Sequence, residues 1–232
     1  IASYGQPENA VKVIKKICLE RNNSLVVPDE SQIKVLNSGI FGVEFTYKNS
    51  VYKTSMAGFH QIKNMTCVIE ACYVLRSFFE ISDDDIYNGI EKTVLPARVE
   101  VISKLPLVIL DGGHNEDGAK AFYDSVSPYL YKYDKICVVA GMMADKAVET
   151  SLQPLIEYCY SFIEVTPDNP RAMSCDELAE IAKQFCDDVT AIPSPVEAVK
   201  TAVEALGEND ALLVVGSLYL AGEVRETLLK LF

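Results

Sequence analysis

Apolar residues recur at two different spacings along this chain, and the pattern changes near residue 96. In the first part, Val11, Ile14, Ile17 and Cys18 follow a helical period. They come just after Gln6-Pro7-Glu8, where a proline and an acid suit a first helical turn. Ser24 to Pro28 predicts a short strand. Phe41, Val43, Phe45 and Tyr47 alternate, and Asn49-Ser50 turns that strand back into Val51–Ser55, which together predict a β-hairpin. Two helices follow. One, over 64–81, presents Val68, Ala71, Cys72, Leu75 and Phe79. The other, over 83–94, starts at the N-cap Ser82 with three aspartates and presents Ile86, Ile90 and Val94.

Leu95-Pro96-Ala97-Arg98 marks a boundary, giving units 1–95 and 96–232. Beyond it, Val99–Ile102 and Leu107–Leu110 read as a hairpin. Helices over 116–127, 146–158, 175–186, 195–206 and 219–231 then alternate with strands over 136–140, 162–166, 189–192 and 211–215. Strands and helices alternating at this spacing predict an α/β fold: a mostly parallel six-stranded sheet with helices on both faces, Rossmann-like in layout. Ser174-Cys-Asp-Glu177 and Ser194-Pro-Val-Glu197 both match the capping box.

The most informative stretch is Leu107 to Asn115. Four apolar residues run into Asp111, two glycines, His114 and Asn115, and a helix follows. In such sheets the carboxyl ends of the strands share one rim, where ligands bind. Other strand ends there are Gly141 to Lys146, Thr166 to Arg171, and Gly216-Ser217, with Arg98 entering at the linker. Glycines 112 and 113 let the backbone turn sharply. Each residue also has a plain structural reading. Asp111 can be a turn former, Asp168-Asn-Pro a turn, and Ser217 a helix cap. The only two histidines, His60 and His114, can be ordinary structural side chains.

The net charge of -12 argues against sequence-independent nucleic-acid binding, which needs many Lys and Arg on phosphates. No apolar run is long enough for a bilayer, so no membrane association is expected. The seven cysteines, at 18, 67, 72, 137, 159, 175 and 186, lack any CxxC spacing and read as reduced thiols of a cytoplasmic protein. Ile1-Ala-Ser reads as the end of a strand whose beginning is absent, so the chain is expected to be a fragment.

Six patches in order carry a resemblance. They are Gly58-Phe-His-Gln-Ile-Lys-Asn64, Arg98-Val-Glu100, Val108-Ile-Leu-Asp-Gly-Gly-His-Asn115, Gly141 to Lys146, Asn169-Pro-Arg-Ala172 and Gly216-Ser-Leu-Tyr-Leu-Ala-Gly-Glu223. Together they resemble folylpolyglutamate synthase and dihydrofolate synthase, within the Mur ligase superfamily. Ala97 stands where that pattern has glycine, Gly113 where it has alanine, and Ala147 where it has an acid. The family's GxxxxGK[ST] phosphate loop is not found here.

The resemblance implies an ATP-dependent ligase that adds L-glutamate to a folate or dihydropteroate carboxylate through an acyl phosphate. Residues 1–95 would be the remnant of a P-loop ATPase-type domain, and 96–232 the C-terminal domain. Asp111 and His114 would serve catalysis; Asn64, Arg98 and Asp111 would bind ATP. His114, Ser217, Lys146 and Arg171 would bind substrate. Magnesium is expected with ATP, its ligands lying in the segment before Ile1, and the full-length enzyme is expected to be a monomer. The fragment itself is expected to be inactive. The rival readings are a cell-wall amino-acid ligase of the same superfamily and a non-catalytic Rossmann-like binding module.

Overall fold

The computed structural model describes residues 1–144, 148–156 and 158–232. The chain divides into two compact units, Ile1–Val94 and Leu95–Phe232.

The first unit holds a helix α1 (Glu8–Glu20), a short 3-10 turn (Glu30–Gln32) and the antiparallel strands β1 (Lys34–Gly39), β2 (Gly42–Tyr47) and β3 (Ser50–Thr54). Helices α2 (Phe59–Leu75) and α3 (Asp83–Lys92) follow. The expected hairpin is β2–β3, with Phe45 opposite Tyr52. Alternation puts Val43, Phe45 and Tyr47 on one face, where they pack with Ile62, Met65, Ile69, Ile86 and Ile90. Ser82 and Asp85 form a full capping box at the start of α3.

The first unit departs from the sequence reading in several places. Residues 24–28 form no strand; a single bond from the Ala2 N–H to the Val26 carbonyl is the backbone pairing there. Strand β1 carries no apolar alternation, because nearly all of it is exposed. The buried side of α2 is Gln61, Ile62, Met65, Thr66, Ile69 and Glu70, while Val68, Leu75 and Phe79 are exposed, Phe79 lying beyond the helix end. Ile62, Met65, Ile69 and Cys72 keep the same helical period as the expected stripe in another phase, and packing against the hairpin selects that phase. No residue of α1 is buried, and Val94 is exposed beyond the end of α3.

The second unit begins with β4 (Glu100–Lys104) and β5 (Leu107–Leu110), which pair antiparallel. Next come α4 (Glu116–Leu130), β6 (Ile136–Ala140), α5 (Val148–Ile156), β7 (Ser161–Glu164) and α6 (Cys175–Ala182). The chain ends with β8 (Val189–Ala191), α7 (Pro195–Ala205), β9 (Ala211–Val215) and α8 (Leu218–Leu231). The sheet order is β4-β5-β9-β6-β7-β8, parallel from β5 onward. The expected α/β sheet of six strands is therefore present. Every residue of β5 and β9 is buried, as strands covered on both faces must be.

Val108, Leu110, Val139, Ile163, Leu212 and Val214 pack against Ala198, Val199 and Ala202 of α7 and Leu220, Val224 and Leu228 of α8. Helices α4, α5 and α6 lie side by side and cover the opposite face. Ser174 makes the full capping box. Ser194 makes only its forward half, accepting the Glu197 N–H, with Pro195 in the first turn. All seven cysteines are free thiols. Among the described residues, no helix is long and apolar enough to cross a membrane.

Candidate active site

Strand β9 enters the sheet between β5 and β6, so the chain reverses its direction of winding there. The crevice beyond the carboxyl ends of these strands is where such sheets bind ligands. Backbone bonds draw the strand ends together. The Asp111 N–H donates to the Val214 carbonyl at 2.9 Å, and the Gly141 N–H to the Val215 carbonyl at 3.2 Å. Residues 142–144 meet 171–173 through Met173 N–H to Met142 C=O (2.9 Å) and Ala144 N–H to Arg171 C=O (2.8 Å).

Two glycines are required by space or conformation. At Gly216, φ is +114°, and a Cβ would lie 2.7 Å from the Gly141 carbonyl oxygen. Gly112 has no positive φ; a Cβ there would lie 2.3 Å from Leu218 Cδ2. The sharp turn expected of the glycines at 112 and 113 is thus a matter of close approach rather than left-handed backbone.

Asp111 is 6% exposed. Its Oδ2 accepts the Val99 N–H at 2.8 Å and its Oδ1 the Gly113 N–H at 2.7 Å. Burial raises its pKa above the usual carboxylate value; the two N–H groups and the Arg98 charge pull the other way without reversing it. The Gly112 N–H donates to the Ala97 carbonyl at 2.9 Å. The turn 97–99 is thereby laced to the end of β5, with Arg98 half-buried at its centre. Ala97 and Val99 both hold left-handed backbone, at φ +55° and +49°. Such conformations cost non-glycine residues about 1–3 kcal/mol each, and a β-branched residue is the least suited.

His114 is half-buried, and its Nδ1 lies 3.3 Å from the Gly112 carbonyl oxygen. A carbonyl only accepts, so Nδ1 is the donor where this contact is a hydrogen bond, and Nε2 takes no part in it. Asn115 caps α4, accepting the Gly118 N–H at 2.8 Å. Arg98, Asp111 and His114 therefore lie within one laced segment: a cation, a buried carboxylate and an imidazole beside a helix N-terminus. That set suits an anionic ligand.

The other expected residues are placed as follows. Ser217 is 1% exposed and caps α8, its Oγ accepting the Leu220 N–H at 3.1 Å. Arg171 is exposed, with its backbone N–H on Asn169 Oδ1 at 2.9 Å. Lys146 lies outside the described residues. Asn64 belongs to the first unit, exposed on α2 with its amide on Gln61 Oε1 at 3.0 Å.

Three contributors to this rim went unrecognised in the sequence. Glu100 Oε2 accepts the Ala97 N–H at 2.8 Å, Arg225 grips Glu100, and Glu223 Oε1 accepts the Asp168 N–H at 2.7 Å. Glu100 and Glu223 lie within patches that carry the family resemblance, whereas Arg225 gave no signal.

Known proteins resemble this chain in sequence and in fold. The chain is 28% identical over 198 residues to the dihydrofolate synthase/folylpolyglutamate synthase of Bacillus subtilis, covering 81% of this chain and 44% of that protein. It is 26% identical over 231 residues to the folylpolyglutamate synthase of Lacticaseibacillus casei, covering 96% and 52%. The fold superposes on a Mycobacterium tuberculosis folylpolyglutamate synthase with TM-score 0.77 and 21% identity, over 96% of this chain and 53% of that one. The chain thus spans about half the length of these relatives. Residues 97–218, which hold the laced turn, the Asp111 strand end and the start of α8, match the Mur ligase glutamate ligase domain. By that match the chain belongs to the Mur ligase family.

Proposed function

We propose that this chain is the C-terminal part of an ATP-dependent ligase that adds L-glutamate to a folate or dihydropteroate carboxylate. The observation that carries this reading is the joining of Arg98, Asp111 and His114 at the rim of a glutamate ligase domain. Its relatives are named dihydrofolate synthase/folylpolyglutamate synthase and folylpolyglutamate synthase. The related Mycobacterium tuberculosis structure is a complex with ADP and AMPPCP, which supports nucleotide use. Relatives of twice the length support a catalytic unit that extends beyond these residues.

In the proposed reaction the γ-phosphoryl group of ATP passes to the substrate carboxylate, and ADP leaves. The glutamate amine then attacks the acyl carbon; the amide forms, the C–O bond to phosphate breaks, and the amine gives up its proton. Arg98 meets phosphate charge with its forked donors. The Asp111 carboxylate holds the Arg98 turn in place and borders the nucleotide. His114 Nε2 has the chemistry to take the amine proton. Lys146, Arg171 and Ser217 would hold the glutamate end, Ser217 with the hydroxyl proton that its capping role leaves over. Closing the site would keep water from the acyl phosphate.

Magnesium would accompany ATP. Among the described residues no group of three or more His, Cys, Asp or Glu side chains is placed to hold a metal ion.

The test is direct. The full-length polypeptide is incubated with ATP, glutamate and either folate or dihydropteroate, and the products are read by mass spectrometry. A glutamylated product that requires ATP is expected. Glutamylation of a cell-wall precursor instead, or no ATP-dependent product, overturns the reading.

A further inference from the structure

Arg98 is presented by a turn that its own sequence does not favour, since both neighbours hold positive φ. Two of the bonds that fix this turn come from the end of β5, through Asp111 and Gly112. The third comes from elsewhere. Glu100 Oε2 accepts the Ala97 N–H at 2.8 Å, and Arg225 of α8 holds that carboxylate. Arg225 Nε lies 3.1 Å from Oε1 and 3.0 Å from Oε2, and its Nη2 lies 2.7 Å from Oε1. A guanidinium fork on a carboxylate fixes direction as well as distance. The Glu100 side chain is 13% exposed and that of Arg225 32%, so the pair is not a loose surface contact. Burial alone would raise the Glu100 pKa. The Arg225 hydrogen bonds, the Ala97 N–H and the Arg225 charge reverse this and hold the carboxyl below its usual value, and therefore ionised.

We infer that Glu100 and Arg225 are positioning residues for Arg98: the pair orients the turn that offers Arg98 to the nucleotide. The inference rests on the ligase reading above. A bridge that merely stabilised the fold would lower the melting temperature and leave the kinetic constants of the folded enzyme alone. A positioning pair acts through Arg98, so its effect requires Arg98 to be present.

The experiment uses the full-length enzyme with Arg225→Met, Arg225→Lys, Glu100→Gln, Arg98→Ala, and the double variant Arg98→Ala/Arg225→Met. For Arg225→Met, the KM for ATP should rise about tenfold while the KM for glutamate stays near its starting value. Arg225→Lys keeps the charge without the fork and should recover only part of that loss. The double variant should match Arg98→Ala alone, because the two changes remove one function. If Arg225→Met does not fold, Arg225→Lys and Glu100→Gln carry the same comparison in its place. Unchanged ATP constants in a less stable protein, or losses that multiply in the double variant, overturn the inference and leave the ligase reading standing. Absence of ligation by the unsubstituted enzyme overturns both.

Discussion

The carboxylate of Asp111 accepts the backbone N–H of Val99 at 2.8 Å, and Val99 is held at φ +49°. A β-branched residue avoids that region, so the bond offsets strain that the turn would otherwise release. Asp111, a proposed site residue, is therefore also the fastening of the segment that holds Arg98. Asp111→Asn separates its charge from its shape. An amide has one acceptor oxygen, and the carboxylate serves two N–H groups with two. One buried N–H would then face an NH₂ group, at a cost of about 1–3 kcal/mol. The urea midpoint should fall accordingly, and under the proposed function glutamate addition by the full-length polypeptide should drop sharply. A midpoint equal to that of the unsubstituted protein would show that the carboxylate does not hold the turn.

Two glycines near the same rim should respond in opposite directions to alanine. Gly216 has φ +114° and a carbonyl oxygen 2.7 Å from where a Cβ would sit. Gly216→Ala should cost about 1–3 kcal/mol from backbone conformation alone, with the contact adding to it. Gly222 lies on the exposed side of α8, with no atom within 4 Å of an added Cβ. Gly222→Ala should stabilise by about 0.4–1 kcal/mol, chiefly by reducing the freedom of the unfolded chain. Thermal unfolding of the two variants side by side checks both. A stabilised Gly216→Ala would mean that the β9 end is not as tightly joined to residue 141 as the hydrogen bonds indicate.

What the sequence made legible follows from how local each signal is. The second unit's sheet was readable because buried parallel strands are short apolar runs, as at Leu107–Leu110 and Ala211–Val215, and capping residues punctuate the helices between them. Asp111 and His114 stood out because they follow such a run. The exposed strand β1 gave no alternation to read, and α2 was apolar on more than one side, so its period left the buried phase open. The grip of Arg225 on Glu100 spans 125 residues, and no periodicity connects positions so far apart. Nor does the sequence mark Val99 as left-handed, since its side chain argues the reverse. Ala97 is different: the glycine of the family pattern at that position suits the φ of +55° found there.

Glu164 should make stability depend on pH. It ends β7 with 0% exposure, and among the described residues neither carboxylate oxygen has a hydrogen-bond partner. A buried charge without compensation favours the neutral acid, and burial pushes the Glu164 pKa up to about 8. In the unfolded chain the group returns to its ordinary value of about 4.3. The folded state therefore holds the proton more tightly. The stabilisation is fully present below the ordinary value and is lost as pH rises from there through about 8. Within that window the loss approaches about 1.4 kcal/mol per pH unit for a single group. The melting temperature should accordingly fall between about pH 5 and pH 8 on this group's account. Glu164→Gln preserves the shape and removes the titration, so its profile should lack this fall and lie above that of the unsubstituted protein at alkaline pH. Parallel profiles for the two proteins would mean that Glu164 ionises in the fold without penalty, and the burial argument would then be wrong.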